Sequence, residues 1–163
     1  MHPIDWQIIQ ILQEDGKTTY GELAKRVGLS QAAAHERVKK LEARGVIKGY
    51  RAVVDADALG YGVVAFVFVD NAAFDIPDFT ERLQSIPNVL ECHAVAGEWG
   101  YLLKVRAESP PDLEQVLHKI RRIDSVNRTQ SVIGLSTAFE NTLLPMPVAP
   151  EGDEEPPQIA KKK

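Results

Sequence analysis

The chain has 163 residues, 44% hydrophobic and 26% charged, which suits one ordinary folded domain or two small ones. Its single cysteine, Cys92, excludes an intramolecular disulfide framework. No apolar run reaches bilayer length, and no secretion signal is read at Met1-His2-Pro3-Ile4-Asp5-Trp6, so a cytoplasmic protein without membrane partners is expected. The net charge of −4 excludes nucleic acid only until it is divided. Residues 1–51 hold nine Lys/Arg against six Asp/Glu, residues 52–150 seven against thirteen, and residues 151–163 three against four. The positive end is thus the N-terminal one, where a phosphate-binding surface would need it.

Three helices are predicted over residues 4–45. The first spans about Asp5 to Asp15, with Ile4, Ile8, Ile11 and Leu12 at helical spacing, Asp5 as cap and Gly16 after the end. The second opens on Thr19-Tyr20-Gly21-Glu22, a capping box in which threonine and glutamate satisfy each other's free N–H groups, and stops at Gly28. The third starts at Ser30, a good N-cap, and ends at Arg44 before Gly45, with Ala34, Val38 and Leu41 as its apolar stripe. Residues 46–54 read as a turn and strand, either a wing or the start of a linker. Residues 55–62, with Gly60 and Gly62, read as a hinge.

The rest runs twice through strand, helix and strand. The predicted strands are 63–69, 89–95, 101–107 and 126–135, with helices opening at Asp75-Ile76-Pro77-Asp78 and Ser109-Pro110-Pro111-Asp112. The order β-α-β-β-α-β is the ferredoxin-like arrangement. The fold class is therefore α+β: an N-terminal (winged) helix-turn-helix domain at 1–50, a linker at 51–62, a ferredoxin-like domain at 63–144 and a disordered tail at 145–163. Val63–Val69 is apolar at every position, whereas a ferredoxin-like domain covers one sheet face only. A partner subunit is the simplest cover for the other, so at least a dimer is expected. The tail holds five prolines and ends in Lys161-Lys162-Lys163.

Val27-Gly28-Leu29-Ser30 is the tight turn a helix-turn-helix needs. The start of the next helix then faces the major groove of double-stranded DNA, with Ser30, Gln31, Ala32, Ala33, His35 and Glu36 as candidates. Gln31 suits adenine, and alanine methyls suit thymine methyls. Arg37, Lys39, Lys40 and Arg44 are assigned to phosphates.

The stretches "ELAKRVGLS", "ERVKKLEARGVIKGY", "DADALG" and "ECHAVAGEWGYLLKVR" resemble the leucine-responsive regulator/asparagine regulator (Lrp/AsnC, feast-or-famine) family over roughly residues 2–144. The resemblance implies a sequence-specific transcription regulator. It implies dimers through the sheet domain, assembly to tetramers or octamers, and control by an amino acid or related metabolite. It places the effector at Gly97, Glu98, Trp99, Gly100 and Tyr101, with Thr129 and Ser131. Gly100 departs from the pattern, because the family usually carries an aspartate there, and the missing carboxylate would have recognised an amine. An effector-independent, DNA-organising protein is therefore a second reading. A third is an enzyme, since haem-pathway decarboxylases resemble this fold. Against it, His2, His35, His93 and His118 are scattered, and adjacent Cys92 and His93 point to opposite strand faces. No catalytic residue, metal site or cofactor is expected.

Overall fold

A computed structural model describes residues 1–71 and 76–146. The chain forms two units, Met1–Ala52 together with the chain from Asn141, and Val53–Glu140.

The first unit contains α1 (Pro3–Glu14), α2 (Tyr20–Val27) and α3 (Gln31–Ala43). Helix α1 starts earlier than expected. Its N-cap is His2, whose Nδ1 accepts the Ile4 N–H, while Asp5 sits at the third helical position and accepts from His2 N at 3.2 Å. Proline at the first helical position needs no donor, which favours this start. Asp5 thus serves the capping box from inside the helix. Thr19 and Glu22 form the capping box of α2 as expected, and their hydrogen bonds hold the Glu22 carboxyl below its ordinary range. Gly28 ends α2 in the left-handed region, φ 69°, which a side chain would resist. The core between the three helices is Ile8, Ile11, Leu23, Val27, Val38 and Leu41.

The strand expected over 46–54 does not form. The N–H groups of Val46 and Ile47 both go to Leu41 O, closing the end of α3. Beyond them the segment pairs with no strand among the described residues, and Val53 and Val54 are 93% and 62% exposed. Within residues 55–62, expected as a hinge, the chain folds into tight turns. Asp55 Oδ1 accepts from Asp57 N, Leu59 and Tyr61 N–H groups return to Asp55, Ala56 carbonyls, and Gly60 takes φ 86°.

The second unit contains β1 (Val63–Asn71), α4 (Ile76–Gln84), β2 (Val89–Ala94), β3 (Tyr101–Ala107), α5 (Pro110–Arg121) and β4 (Val126–Gly134). The sheet is antiparallel throughout, in the order β2-β3-β1-β4. Both helices cover one face. Phe79 and Leu83 of α4 and Leu113, Val116 and Ile120 of α5 pack on Ala65, Val67, Leu103 and Val105. The alternate residues face outward. Phe66 pairs in register with Lys104 and Val132, and within this chain Phe66 and Val132 stay 40% and 47% exposed. This is the uncovered side that the all-apolar strand implied. The tail expected at 145–163 lies outside the described residues from 147 on.

Gly134 ends β4 directly against Val64. A Cβ there would stand 2.6 Å from Val64 Cγ1, a short branched side chain that cannot swing away. Gly134→Ala is expected to destabilise the sheet domain by about 1–3 kcal/mol in denaturant unfolding. An unchanged midpoint would mean that β4 shifts freely on β1.

Candidate nucleic-acid interface and effector region

The turn at Gly28 sets the start of α3. Leu29 N donates to Ala24 O, and Ser30 Oγ accepts from Ala33 N at 3.2 Å. Ser30 therefore spends its hydroxyl on the cap. Ala34, Val38 and Leu41 are buried in the domain core. With that stripe turned inward, Gln31, Ala32, Glu36, Lys39 and Lys40 face solvent on the opposite side, and Arg44 is exposed at the end. Ala33 and His35 are half-buried. The His35 ring lies edge-on to Tyr20 at 4.6 Å between centroids, a contact that fixes its direction from α2. Tyr20 was not among the expected site residues, although its place after the capping threonine puts it on the same side as His35.

Arg37 is different. Its guanidinium donates to Asp5 Oδ1 at 2.7 Å, and Asp5 is buried. Assigned from the sequence to a phosphate, it instead joins α3 to α1. A shallow groove beside α3 is lined by Asp5, Ala33, Glu36, Arg37, Lys40 and Arg44. The exposed basic groups of α3 are then Lys39, Lys40 and Arg44. Behind them, Tyr50 donates to Glu42 at 3.1 Å, and burial with the Glu42 carboxylate pushes its phenol up to about 12.

The residues expected to hold an effector divide between the two faces of the sheet. Glu98 and Trp99, in the loop between β2 and β3, meet Arg128 of β4. Arg128 donates to Glu98 at 3.0 Å, pairs with Asp70 at 3.5 Å and lies 4.3 Å above the Trp99 ring, which itself tilts against Phe68. Gly97 takes φ 138°, and Gly100 donates its N–H to Val69 O at 3.2 Å. Tyr101 lies on the helix side, buried against Phe79 at 4.8 Å. Thr129 and Ser131 share that side. Thr129 accepts from Arg121 at 3.1 Å, and the buried Ser131 hydroxyl has no hydrogen-bond partner among the described residues. Arg128 was missed by the sequence reading, yet strand alternation places it opposite to Thr129. Cys92 and His93 register with Leu103 and Leu102 and so fall on opposite faces, and burial pushes the Cys92 thiol up.

The two cationic roles on α3 predict different phenotypes. Arg37→Ala leaves the Asp5 carboxylate without its partner and is expected to cost about 1–3 kcal/mol of folding stability. Lys40→Ala is expected to change stability by less than about 0.5 kcal/mol and to lower the salt slope of DNA binding by about one unit. Unfolding curves and salt titrations of both variants check this, and equal stability of the two would remove the structural role of Arg37.

Comparison with known proteins fits this division of labour. The family model described as Winged helix-turn-helix DNA-binding matches residues 1–48, and the model described as Lrp/AsnC ligand binding domain matches residues 63–144. The chain is 41% identical over 139 residues to the HTH-type transcriptional regulator LrpA of Mycobacterium tuberculosis, covering 85% of this chain and 92% of that one. It is 36% identical over 143 residues to the HTH-type transcriptional regulator FL11 of Pyrococcus horikoshii, covering 88% and 95%. Its structure is similar to that of the feast or famine regulatory protein of M. tuberculosis complexed with L-methionine, with a TM-score of 0.81, 40% identity, and 88% and 97% of the two chains covered. These relatives are regulators, which sets the decarboxylase reading aside. No helix among the described residues is long and apolar enough to cross a membrane. The chain belongs to the Lrp/AsnC family of helix-turn-helix transcriptional regulators, and it is a regulator rather than an enzyme.

Proposed function

We propose that the protein reads double-stranded DNA in the cytoplasm through the exposed start of α3 and changes its binding in response to an amino acid or related metabolite. The observation that carries the DNA reading is the two-sided helix. One stripe of α3 is fixed in the core, so Gln31, Ala32, Glu36, Lys39 and Lys40 are presented together on the other. Gln31 offers both a donor and an acceptor to a base edge, Ala32 offers a methyl, and the lysines meet phosphates. Ser30 and Arg37 act by holding the helix in place. On this reading residues 1–50 serve DNA, 51–62 are the linker, and 63–144 serve sensing and oligomerisation.

The protein works as a dimer that assembles to tetramers or octamers. Support comes from the uncovered outer sheet face with Phe66 and Val132, since buried apolar area is the main drive for such association. The effector binds between dimers around Gly97–Tyr101. The L-methionine complex of the M. tuberculosis relative supports an amino acid. Because Tyr101, Thr129 and Ser131 face away from Glu98 and Trp99 within one chain, a site using all of them draws on more than one subunit. The second reading, a DNA-organising protein without effector, draws on one observation. Glu98 is already paired with Arg128, and Gly100 supplies no carboxylate for an ammonium group.

Gln31→Ala is expected to flatten sequence preference, whereas Lys39→Ala weakens binding to all sequences alike and lowers its salt dependence. Equal losses for Gln31→Ala on specific and random DNA would remove it from base reading. A genomic pull-down with sequencing, with and without a millimolar mixture of the twenty amino acids, separates the two readings. A few enriched sites that change with the mixture are the expected result, and broad, unchanged binding favours the DNA-organising protein.

A further inference from the structure

The reading side of α3 has two borders, and each is tied to a different helix. On one border Arg37 reaches Asp5 of α1. On the other, the half-buried His35 and Tyr20 of α2 meet edge to face, at 4.6 Å between ring centroids and 76° between ring planes. Tyr20 is itself held in place. It is the first residue of α2, directly after Thr19, and the reciprocal Thr19–Glu22 bonds fix the turn that carries it. The residue is 37% exposed, so the pair lies at the protein surface rather than in the core. An edge-to-face contact is directional: it sets the tilt of a ring as well as its distance.

Positions 31, 35 and 39 follow one another at four-residue steps and form a single row along α3. Gln31 heads the row and Lys39 closes it, both exposed. His35 therefore stands between the residue assigned to a base and the residue assigned to a phosphate. A neutral imidazole carries one N–H donor and one acceptor nitrogen. The N–H matches N7 or O6 of guanine, or O4 of thymine, in the major groove. Resting on the DNA-reading role of α3, we propose that His35 reads a second base beside the one met by Gln31, and that Tyr20 is its positioning residue. A histidine free to turn loses that freedom on binding, whereas a ring already held by Tyr20 has less to lose. The selectivity of α3 thus depends on a side chain of α2, within the same unit.

Selection of randomised DNA duplexes by the full-length protein, followed by sequencing, tests this. His35→Ala is expected to erase preference at one base position, distinct from the one that Gln31→Ala erases, with discrimination there falling roughly tenfold. Tyr20→Ala is expected to erase preference at the same position as His35→Ala, and the double variant to lose nothing more. Tyr20→Phe keeps the ring and is expected to keep the preference. Tyr20→Leu fills the space without a ring, and it carries the test if Tyr20→Ala folds poorly. A contact that only packs would lower the unfolding midpoint of Tyr20→Leu and leave base preference intact, which overturns the inference. So does a His35→Ala variant with every preference retained. An unaltered chain that selects no sequence would sink base reading by α3 as a whole, whereas preference retained in both Tyr20→Ala and Tyr20→Leu sinks only this pair.

Discussion

The link on which the DNA-reading unit depends runs from Arg37 in the middle of α3 to Asp5 in the first turn of α1. Asp5 is buried, and its two oxygens serve two elements, one closing the α1 cap through His2 N and the other taking the Arg37 guanidinium. A buried carboxylate without a charged partner is costly, so the pair fixes how α3 lies on α1. The direction of every exposed side chain on α3 follows from that. The cap at Ser30 and the left-handed Gly28 fix where the helix begins, and the buried stripe of Ala34, Val38 and Leu41, joined by Arg37, fixes its rotation about its own axis. A basic helix without that buried stripe and the Arg37 link would present the same charges but no constant pattern of Gln31, Ala32 and Glu36.

The outer face of the sheet is divided in a similar way. One part is apolar, with Phe66 and Val132 exposed side by side in register. Another is ionic, where Lys104, Arg106, Glu91 and Glu140 neutralise one another. The apolar part gains from being covered by a second copy. The ionic part, already satisfied within the chain, gains little from it. A third group, Arg128 with Glu98, Asp70 and Trp99, lies where the β2–β3 loop meets β4. Its single cation between two acids leaves an excess negative charge, which Gly100 does not increase.

Local signals made most of the fold legible in the sequence. The Thr19–Glu22 capping box, the Gly28 turn and the Ser30 cap depend on residues within three or four positions, and they stand as read. The four strands and two helices of the second unit were legible from apolar spacing and from the repeated helix starts. What escaped depends on distant contacts. Asp5 looked like a cap because aspartate is a favoured capping residue, but proline at position 3 moves the start to His2. Val46–Val54 has strand composition, yet a strand needs a neighbour to pair with, and composition does not supply one. Arg37 looked like its basic neighbours Lys39 and Lys40, and only its separation by 32 positions from Asp5 in the chain, closed in the fold, distinguishes it. Tyr101, Thr129 and Ser131 were grouped with Glu98 by resemblance, while strand alternation puts them on the other face.

The most direct test of the account is to map where DNA touches. Backbone amide NMR shifts of the isotopically labelled protein would be followed as a specific DNA duplex is added. The largest changes are predicted at Gln31, Ala32, Glu36, Lys39 and Lys40, with the Arg37–Asp5 pair unbroken. Perturbations confined to the sheet domain, with residues 30–44 unmoved, would contradict the assignment of α3 as the reading helix.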